Sequence, residues 1–367
     1  MGADHSTETR PTAVIVGASL AGLMTALALS RIGMQVTLLE RSDDTGRTGA
    51  ALHVPYDLIA RVTGEHTAPD DEVPAGIQSW TTVHNRLLAA TTSDPRIHLH
   101  TNTSAVSVGQ NPRGAWVSTQ DGATHRGDLV IGADGHRSIV RSGVAPQHPD
   151  ASFAGYVIWI GVAPESAIKT SHGWPGGTTF RSSGHDHLLG YSLPGTDGST
   201  ARGTRQLGWA WYDASRNDLL RKAGSVRGNI VHHSLTGPNI PKATLADLAA
   251  QAHRQWDGPW REAILDCIAR GSVIGTPIAE YIPDHLVNGR LALVGDAAHV
   301  PTPMTGNGFS ASLEDAEALA DALTGATTDD IDNALSNYEM SRLREVRDLV
   351  RSGQDFSRSF SRERAHA

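Results

Sequence analysis

The segment VIVGASLAGLMTALALSRIGMQVTLLE, from Val14 to Glu40, constrains the fold of this 367-residue chain more than any other. It opens with a short apolar run that is typical of a buried parallel strand. Apolar residues then recur at helical spacing until Gly33, and QVTLLE has the pattern of a second strand. The segment therefore predicts a strand, a helix and a parallel strand, with a glycine-containing turn before the helix.

This turn departs from the dinucleotide-binding pattern G-x-G-x-x-G at one position, because Ser19 stands between Gly17 and Gly22. In that pattern the first glycine permits the tight turn, and the third lets the helix pack closely on the strand. A pyrophosphate rests on the helix N-terminus, and the serine hydroxyl can donate to a phosphate oxygen. Glu40 follows Gly22 by 18 residues, where an acid accepts hydrogen bonds from the ribose and repels a 2′-phosphate. The turn therefore suits FAD or NAD, and an ordinary glycine-rich turn is the alternative.

A second motif is GDLVIGADGHRSIVR, in which an apolar strand over Leu129–Gly132 precedes Asp134 and Ser138. A carboxylate at the carboxyl end of a strand lies in the crevice where α/β sheets bind ligands. A helix start capped by Asp134 or Ser138 is an equally good interpretation.

The third motif is GRLALVGDAAHVPTPMTGNGFSASLEDA, where a buried strand delivers Asp296 to a proline-containing loop. Gly306 and Gly308 then precede a helix, so their backbone can approach a flat ring closely. Asp296 can accept hydrogen bonds from a polyol, and the helix directs its positive end at the ring. A purely structural turn would not need this much glycine beside an acid.

Taken in this order and spacing, the three motifs resemble the class A flavoprotein monooxygenases, the p-hydroxybenzoate hydroxylase-like family. The match is to D-G-x-x-S-x-V-R in the second motif and to G-D-A-A-H-x-x-x-P-x-x-G-x-G…E-D-A in the third. Three residues depart from the family pattern, namely Ser19, Ala51 and Ser312, and none removes a needed functional group. The resemblance implies an α/β fold with a Rossmann-type, GR2-like FAD-binding domain, an interleaved and mostly antiparallel β-sheet substrate domain, and a C-terminal helix.

The expected FAD-binding domain has three parts, over 11–80, 81–150 and 281–330. The strand-like segments IHLHT, SAVSVGQ and AWVSTQ are interpreted as an antiparallel excursion from it. Six of the eight tryptophans lie between 152 and 260, among alternating β-branched residues, so 151–280 is expected to be the substrate domain. The C-terminal helix and tail occupy 331–367, and the serine- and arginine-rich end is a candidate for disorder.

The resemblance also implies a set of FAD contacts that is spread over all three motifs. The set is Gly17, Ser19, Leu20, Ala21, Gly22, Glu40, Arg41, Arg86, Asp134, Gly295, Asp296, Pro303, Gly306 and Gly308. Arg86 enters because SWTTVHNRLL occupies the place of a flavin-contacting helix in the family. We expect His299 to have a structural role, orienting the loop beside Asp296.

In the family, NADH or NADPH reduces the FAD, O₂ gives a C4a-hydroperoxyflavin, and an oxygen atom passes to an electron-rich ring. The chain has no second G-x-G-x-x-G, so we expect the nicotinamide nucleotide to bind transiently. The tryptophan-containing strands look most like those of the dihydroxypyridine hydroxylase branch. Ile160 and Gly208 replace an arginine and an asparagine of that branch, so the expected substrate is only a hydroxylated aromatic or N-heteroaromatic molecule.

Residues for substrate and catalysis come from the same region. The candidates for substrate binding are Trp159, Trp209, Trp211 and Met304, and the candidates for catalysis are His53, Tyr191 and Tyr212. A histidine of near-neutral pKa can deprotonate a ring hydroxyl, and His185 and His187 come after His53 as candidates. Core packing is the alternative for each tryptophan, and a satisfied structural hydroxyl is the alternative for each tyrosine.

Composition narrows the remaining functional classes. A net charge of −8 does not indicate binding to nucleic acid or to an anionic membrane. Cys267 is the only cysteine, so no disulfide within the chain is possible. We see no metal-ligand spacing and no signal peptide, so we expect a cytoplasmic monomer or homodimer that acts on a small aromatic substrate with O₂. The alternatives are a flavin oxidase or dehydrogenase, a halogenase on the same fold, and a non-catalytic FAD-binding protein.

Overall fold

The computed structural model describes residues 10–42, 51–65, 73–169, 173–196 and 198–363. Among these residues the helices are α1 (Leu20–Arg31), α2 (Leu58–Thr63), α3 (Trp80–Ser93), α4 (Ile139–Val144), α5 (Asn217–Lys222), α6 (Lys242–Gln255), α7 (Gly258–Ala269), α8 (Gly308–Leu323) and α9 (Ile331–Glu363). The strands of the first half are β1 (Thr12–Val16), β2 (Gln35–Leu39), β3 (Ala51–Val54), β4 (Gly76–Ser79), β5 (Ile97–His100), β6 (Ala105–Asn111), β7 (Gly114–Thr119), β8 (Thr124–Gly127) and β9 (Leu129–Gly132). Those of the second half are β10 (Ser152–Pro164), β11 (Thr178–Ser183), β12 (Asp186–Leu193), β13 (Gln206–Asp213), β14 (Val226–Arg227), β15 (Ile230–Val231), β16 (Leu235–Thr236), β17 (Ile274–Glu280), β18 (Val287–Asn288) and β19 (Leu291–Leu293).

The first sheet has the order β18-β19-β9-β1-β2-β5, and all neighbours in it are parallel except β18 and β19. The strand–helix–strand unit predicted at the start of the chain is β1, α1 and β2. Helix α1 ends at Arg31, and Gly33 has a φ of +86°, in the left-handed region that favours glycine at a helix end. The central strands β1, β9 and β19 are buried on both faces, which is why their sequences are almost wholly apolar.

The predicted antiparallel excursion is wrong for its first member. IHLH forms β5, which pairs in parallel with β2 at the edge of the first sheet, with Ile97 opposite Val36. Helix α3 supplies the crossover that a parallel neighbour needs, and four residues of alternating pattern do not distinguish the two pairings. The other two segments, with the strand over Thr124–Gly127, form the antiparallel sheet β6-β7-β8.

The second sheet is antiparallel and has the order β11-β12-β13-β10, with β17 beside β10 and the short strands β14, β15 and β16 at that edge. Its strands lie within the range 151–280. A parallel sheet with helices, joined to this antiparallel sheet, confirms the predicted fold class. The exact domain boundaries stay a prediction.

Helices α6 and α7 cover one face of the second sheet, which we call the back face. Trp159, Trp209 and Trp211 alternate along β10 and β13 and point to this face, each at most 1% exposed. Glycines leave room for the indole rings: a Cβ atom added at Gly161 would lie 2.8 Å from Trp209, and one at Gly275 would lie 2.4 Å from Trp159. The back face is therefore a close-packed core.

The opposite surface of this sheet, the front face, receives the end of α9. The expectation of a disordered tail is wrong up to Glu363, because α9 continues to that residue. Phe356 and Phe360 stack on each other, with ring centroids 5.5 Å apart, and both contact the rings of Tyr156 and Tyr212. The apolar contacts outweigh the polar composition of the segment. No helix in the described ranges is long and apolar enough to cross a membrane.

Gly190 tests the back-face packing, because a Cβ atom there would lie 2.5 Å from the Trp260 ring. We expect Gly190→Ala to lower the free energy of unfolding by about 1–3 kcal/mol, the usual cost of overpacking. Gly176→Ala is the control, since a Cβ atom at Gly176 meets nothing within 4 Å. Urea denaturation of both variants measures the effect, and equal midpoints would contradict this account of the core.

Candidate active site

The three motifs meet at the carboxyl edge of the first sheet. β1, β9 and β19 are neighbours, and their ends are joined by backbone hydrogen bonds from Ala133 N to Val16 O (2.8 Å) and from Val294 N to Gly132 O (2.9 Å). The chain leaves β1 for β2 on one side, whereas β9 lies on the other side. This is the topological switch point at which open α/β sheets bind ligands.

The first loop depends on two glycines. Gly17 has a φ of +102°, and a Cβ atom there would lie 2.5 Å from the Ala133 carbonyl oxygen. At Gly22 a Cβ atom would lie 1.8 Å from the Gly17 carbonyl oxygen, so only glycine permits this approach of helix to strand. Ser19 is the N-cap of α1, yet its hydroxyl makes no capping hydrogen bond. The helix N-terminus therefore offers its first N–H groups, those of Leu20 and Ala21 included, and this loop fits a pyrophosphate.

Glu40 follows β2 directly and is half-buried beside this loop. Its Oε2 accepts a hydrogen bond from Ala18 N (2.8 Å), and its Oε1 accepts one from Ser42 N (3.1 Å). The carboxylate is thus held at the carboxyl edge, next to the first turn of α1. Arg41, the next residue, is exposed.

Helix α3 reaches the first loop through His84 rather than Arg86. His84 is 4% exposed, its Nε2 lies 3.1 Å from the Ala18 carbonyl oxygen, and its ring stacks on Trp80 at 4.4 Å. Arg86 is exposed, since two positions along a helix rotate a side chain by about 200°. Arg86 as an FAD contact stays a prediction. The signal missed in the sequence is the spacing of Val83, His84 and Leu87, which assigns the histidine to the buried side.

The carboxylate of Asp134 accepts hydrogen bonds from neighbouring groups of the chain. Its Oδ1 accepts from the Ser138 hydroxyl (2.5 Å) and its Oδ2 accepts from Ile139 N (2.7 Å), while Ser138 caps α4 through Arg141 N. Burial raises the pKa of Asp134, and these hydrogen bonds oppose that change. The carboxylate of Asp134 therefore acts at a helix start, as the alternative interpretation of this motif proposes. Asp134 lies just after β9 and forms part of the crevice.

Arg141, from the same motif, joins the second motif to the third. It is fully buried, its Nη1 donates to the Ala297 carbonyl (3.0 Å), and its guanidinium lies 4.2 Å from the centre of the Tyr281 ring. It also donates to the carbonyls of Pro149 and His136. Burial lowers the pKa of Arg141, and the charges of Tyr281 and of nearby carboxylates oppose this lowering. We did not assign this residue a role from the sequence, although it is the arginine of the DGHRSIVR match.

The third loop is organised around Asp315, which lies in α8 and has no exposed surface. Its Oδ2 accepts from Gly295 N (2.9 Å) and lies 2.7 Å from His299 Nε2, and its Oδ1 accepts from Arg342 Nε (3.0 Å). Burial by itself raises the pKa of Asp315, but the charges and hydrogen bonds of His299 and Arg342 place it below its usual range. The structural role expected for His299 agrees with this geometry.

Gly295 connects the third loop to the first. Its φ is +58°, and a Cβ atom there would lie 2.6 Å from the Ala21 methyl group. The next residue, Asp296, is the only exposed one in the thirteen residues from Arg290 to Thr302. A side chain that alone leaves a buried loop, beside the N-terminus of α1, fits the role of binding a cofactor polyol.

Beyond Asp296 the loop turns towards the second sheet. Thr302 is buried, and its hydroxyl hydrogen-bonds the Tyr156 hydroxyl of the front face. Pro303 begins a short 3₁₀ turn that ends at Gly306, with a φ of +67°, before α8 starts at Gly308. Met304, in this turn, packs against the front-face cluster of the second sheet.

The three tryptophans predicted to bind substrate do not lie on the same face as Met304. They belong to the back face, under α6 and α7, whereas the loop with Asp296 contacts the front face. The sequence pattern correctly grouped Trp209 with Trp211 and separated Tyr212 from them. The pattern could not decide which group faces the nucleotide site. In the structure the three tryptophans pack in the core, which is the alternative interpretation.

The candidate catalytic residues are differently placed. Tyr191 and Tyr212 lie on the front face, where burial raises the pKa of each hydroxyl above its usual value. Tyr191 lies over Gly208, where a Cβ atom would come within 1.9 Å of its ring. His53 is exposed on β3, opposite Ile77 of β4, and β4 runs close to β12 of the second sheet. His187 lies 2.9 Å from the Ser182 hydroxyl and near Phe360.

Two profiles of known families match different parts of the chain. The profile of a family described as FAD binding domain matches residues 10–55 and 270–353, which carry the first and third motifs. A second profile, described as FAD binding domain-like, matches residues 153–265.

Among curated proteins, the chain is 26% identical to 2,6-dihydroxypyridine 3-monooxygenase of Paenarthrobacter nicotinovorans, over 90% of this chain and 87% of that protein. The solved structure of 2,6-dihydroxypyridine-3-hydroxylase from Arthrobacter nicotinovorans superposes with a TM-score of 0.79 at 23% identity, covering 96% of this chain and 93% of that chain. Klebsiella pneumoniae HpxO, complexed with FAD and uric acid, superposes with a TM-score of 0.70 at 20% identity, covering 97% and 91%. These structures share the fold of this chain.

Asp315 offers a test of the third loop. We expect Asp315→Asn to lower the free energy of unfolding by about 1–3 kcal/mol, because Arg342 would lose its buried partner while it keeps its ion pairs with Glu314 and Glu345. FAD affinity should fall with it, since Gly295 N would lose an acceptor. Asp321→Asn, on the exposed end of the same helix, should stay within about 0.5 kcal/mol of the unchanged protein.

Urea denaturation with and without FAD measures both effects for this pair of variants. If Asp315→Asn behaved as Asp321→Asn does, the buried network would not organise the loop.

Ser19 offers a test of the first loop. Because its hydroxyl makes no capping hydrogen bond, Ser19→Ala should leave the stability of the FAD-free protein unchanged. FAD affinity should fall about tenfold, or about 1.4 kcal/mol, if the hydroxyl donates to a phosphate oxygen. Titration of FAD by fluorescence measures this, with the exposed Ser93→Ala as control. Lower stability of the FAD-free protein with unchanged FAD affinity would assign the hydroxyl to the helix instead.

Proposed function

The chain belongs to the class A FAD-dependent monooxygenases, and from this premise we propose that it hydroxylates a hydroxylated aromatic or N-heteroaromatic small molecule with NADH or NADPH and O₂. One observation carries the proposal. The loop that exposes Asp296 at the nucleotide edge continues through Thr302 and Met304 onto the front face of the second sheet. A cofactor bound along this loop would present its ring system to the front face.

FAD fits the residues that are present. The glycines at 17, 22 and 295 form a cradle that a Cβ atom would fill, the N-terminus of α1 faces it, and Asp296 extends from it. We propose that Glu40 binds the ribose, that the α1 turn binds the pyrophosphate and that Asp296 binds the ribityl chain. When bound, FAD supplies the activation of O₂ and the transfer of one oxygen atom to the ring.

The residues of the chain orient the substrate and exclude water from it. Tyr212 and Tyr191 keep their protons at neutral pH, because burial raises the pKa of both hydroxyls. They can therefore donate hydrogen bonds to a ring oxygen, but they do not act as bases. We propose that His53, the exposed residue of β3, accepts the proton of the substrate hydroxyl; β3 contacts α8, and its partner strand β4 runs close to β12 of the second sheet.

The relatives support the class of substrate without identifying it. The similar curated protein acts on a dihydroxypyridine, and the solved structure of HpxO holds uric acid, so both act on or bind nitrogen heterocycles. We propose the same broad class for this chain.

Turnover tests the proposal directly. The FAD-loaded protein should oxidise NADH or NADPH faster when a substrate from a panel of phenols, hydroxypyridines, indoles and purines is present, and mass spectrometry should find a product heavier by one oxygen atom. Asp296→Ala should lose most of its FAD and with it this activity.

The other flavin functions give different outcomes in the same assay. Hydrogen peroxide equal to the nicotinamide consumed, with no oxygenated product from any member of the panel, would indicate an oxidase. A product that contains halogen, formed only with added halide, would indicate a halogenase. Bound FAD with no oxidation of NADH or NADPH under any condition would indicate a non-catalytic protein.

A further inference from the structure

The front face carries a continuous apolar row across five strands. The register places Phe180 opposite Leu189, Leu189 opposite Ala210, Ala210 opposite Ile160, and Ile160 opposite Ile274. Cross-strand partners share a face, so these five side chains lie in one line from β11 to β17. None of them carries a hydrogen-bond donor, an acceptor or a charge.

Four of the five side chains of this middle row are exposed or half-buried, and Ala210 is buried between them. Phe180 is 51% exposed, and Ile160, Leu189 and Ile274 are only half-buried. On the back face of the same strands the tryptophans are at most 1% exposed. Partly exposed apolar side chains beside Met304 and the cofactor loop form a surface that a flat ring can cover.

The rows on either side add hydroxyl groups and one imidazole but no formal charge. One flanking row is Ser182, His187, Tyr212, Ile158 and Thr276, and the other is Thr178, Tyr191, Gly208 and Val162. The fourteen positions of the three rows contain no arginine, lysine, aspartate or glutamate. A carboxylate held against this wall would find no arginine or lysine on it.

We propose that this wall, with Ile160 and Ala210 at its centre, selects electrically neutral aromatic rings and discriminates against carboxylated ones. The inference rests on the proposed function, because it assigns the front face as the place where the substrate lies. Its physical basis is desolvation, since a carboxylate buried without a cation loses more hydration energy than hydrogen bonds from neighbouring hydroxyl groups return. Ile160 is then a specificity-determining residue.

Binding to the FAD-loaded protein tests this without turnover. The probes are two matched pairs that differ by a carboxylate: 2-naphthol with 6-hydroxy-2-naphthoate, and methyl 4-hydroxybenzoate with 4-hydroxybenzoate. Each is titrated at constant ionic strength, and the change in FAD absorbance and fluorescence gives the dissociation constant. In each pair we expect the neutral member to bind at least tenfold more tightly.

Substitution of Ile160 should reverse the order. Ile160→Arg places a guanidinium at the centre of the wall, so the carboxylated probe should gain at least tenfold in affinity relative to its neutral partner. Val106→Arg adds the same charge at an exposed position of β6 and should leave the preference unchanged. Leu189→Arg, at a half-buried position of the same row, serves as a second variant if Ile160→Arg does not retain FAD.

Equal binding within both pairs, including no binding by either member at millimolar concentration, would overturn the inference. So would tighter binding of the carboxylated members, or an Arg variant in the row with the same preference as Val106→Arg. These outcomes are separate from failure of the proposed function. A protein that binds neutral rings but forms no oxygenated product would support the wall and contradict the hydroxylase.

Discussion

The rest of the structure depends on the hydrogen bonds and ion pairs of the buried Asp315 carboxylate. It accepts from the backbone of Gly295 and pairs with His299 and Arg342, so one charge ties the third loop to two helices. Leaving any of these buried groups unpaired would cost several kcal/mol, so the loop has a single arrangement. That arrangement places Gly295 against Ala21, and the first and third motifs therefore form one cradle.

Helix α9 extends this constraint to the second sheet. In its first half it supplies Arg342 to the buried carboxylate, and near its C-terminal end Phe356 and Phe360 pack on the front face. The hydrogen bond between Thr302 and Tyr156 joins the same two regions through the loop. The apolar wall thereby lies beside the cofactor loop, while α6 and α7 cover the other face of the sheet. Helix α9 and the contacts of the third loop thus decide which face of the second sheet lies beside that loop.

The sequence predicted much of the nucleotide edge because the requirements there are local. The close approach of Gly22 to Gly17 excludes every side chain, and the left-handed φ of Gly295 favours glycine. Both positions can therefore be recognised in the sequence as glycines. Prediction failed for β5, where strand pairing decides the outcome, and it missed His84, where a helix rotation decides which side chain is buried. Arg86 and His84 are two residues apart on one helix, yet only the histidine is buried against the loop.

The sequence by itself determined the first strand–helix–strand unit, the three glycine-containing loops and the grouping of side chains along each strand. Turn geometry and the two-residue period of a strand act over a few neighbouring residues, which is why they can be read in order along the chain. Only the tertiary structure decided that the tryptophans face α6 and α7 and that Ile160 and Ala210 face the cofactor loop. The two faces of an antiparallel sheet are equivalent in local conformation, and packing with distant helices distinguishes them.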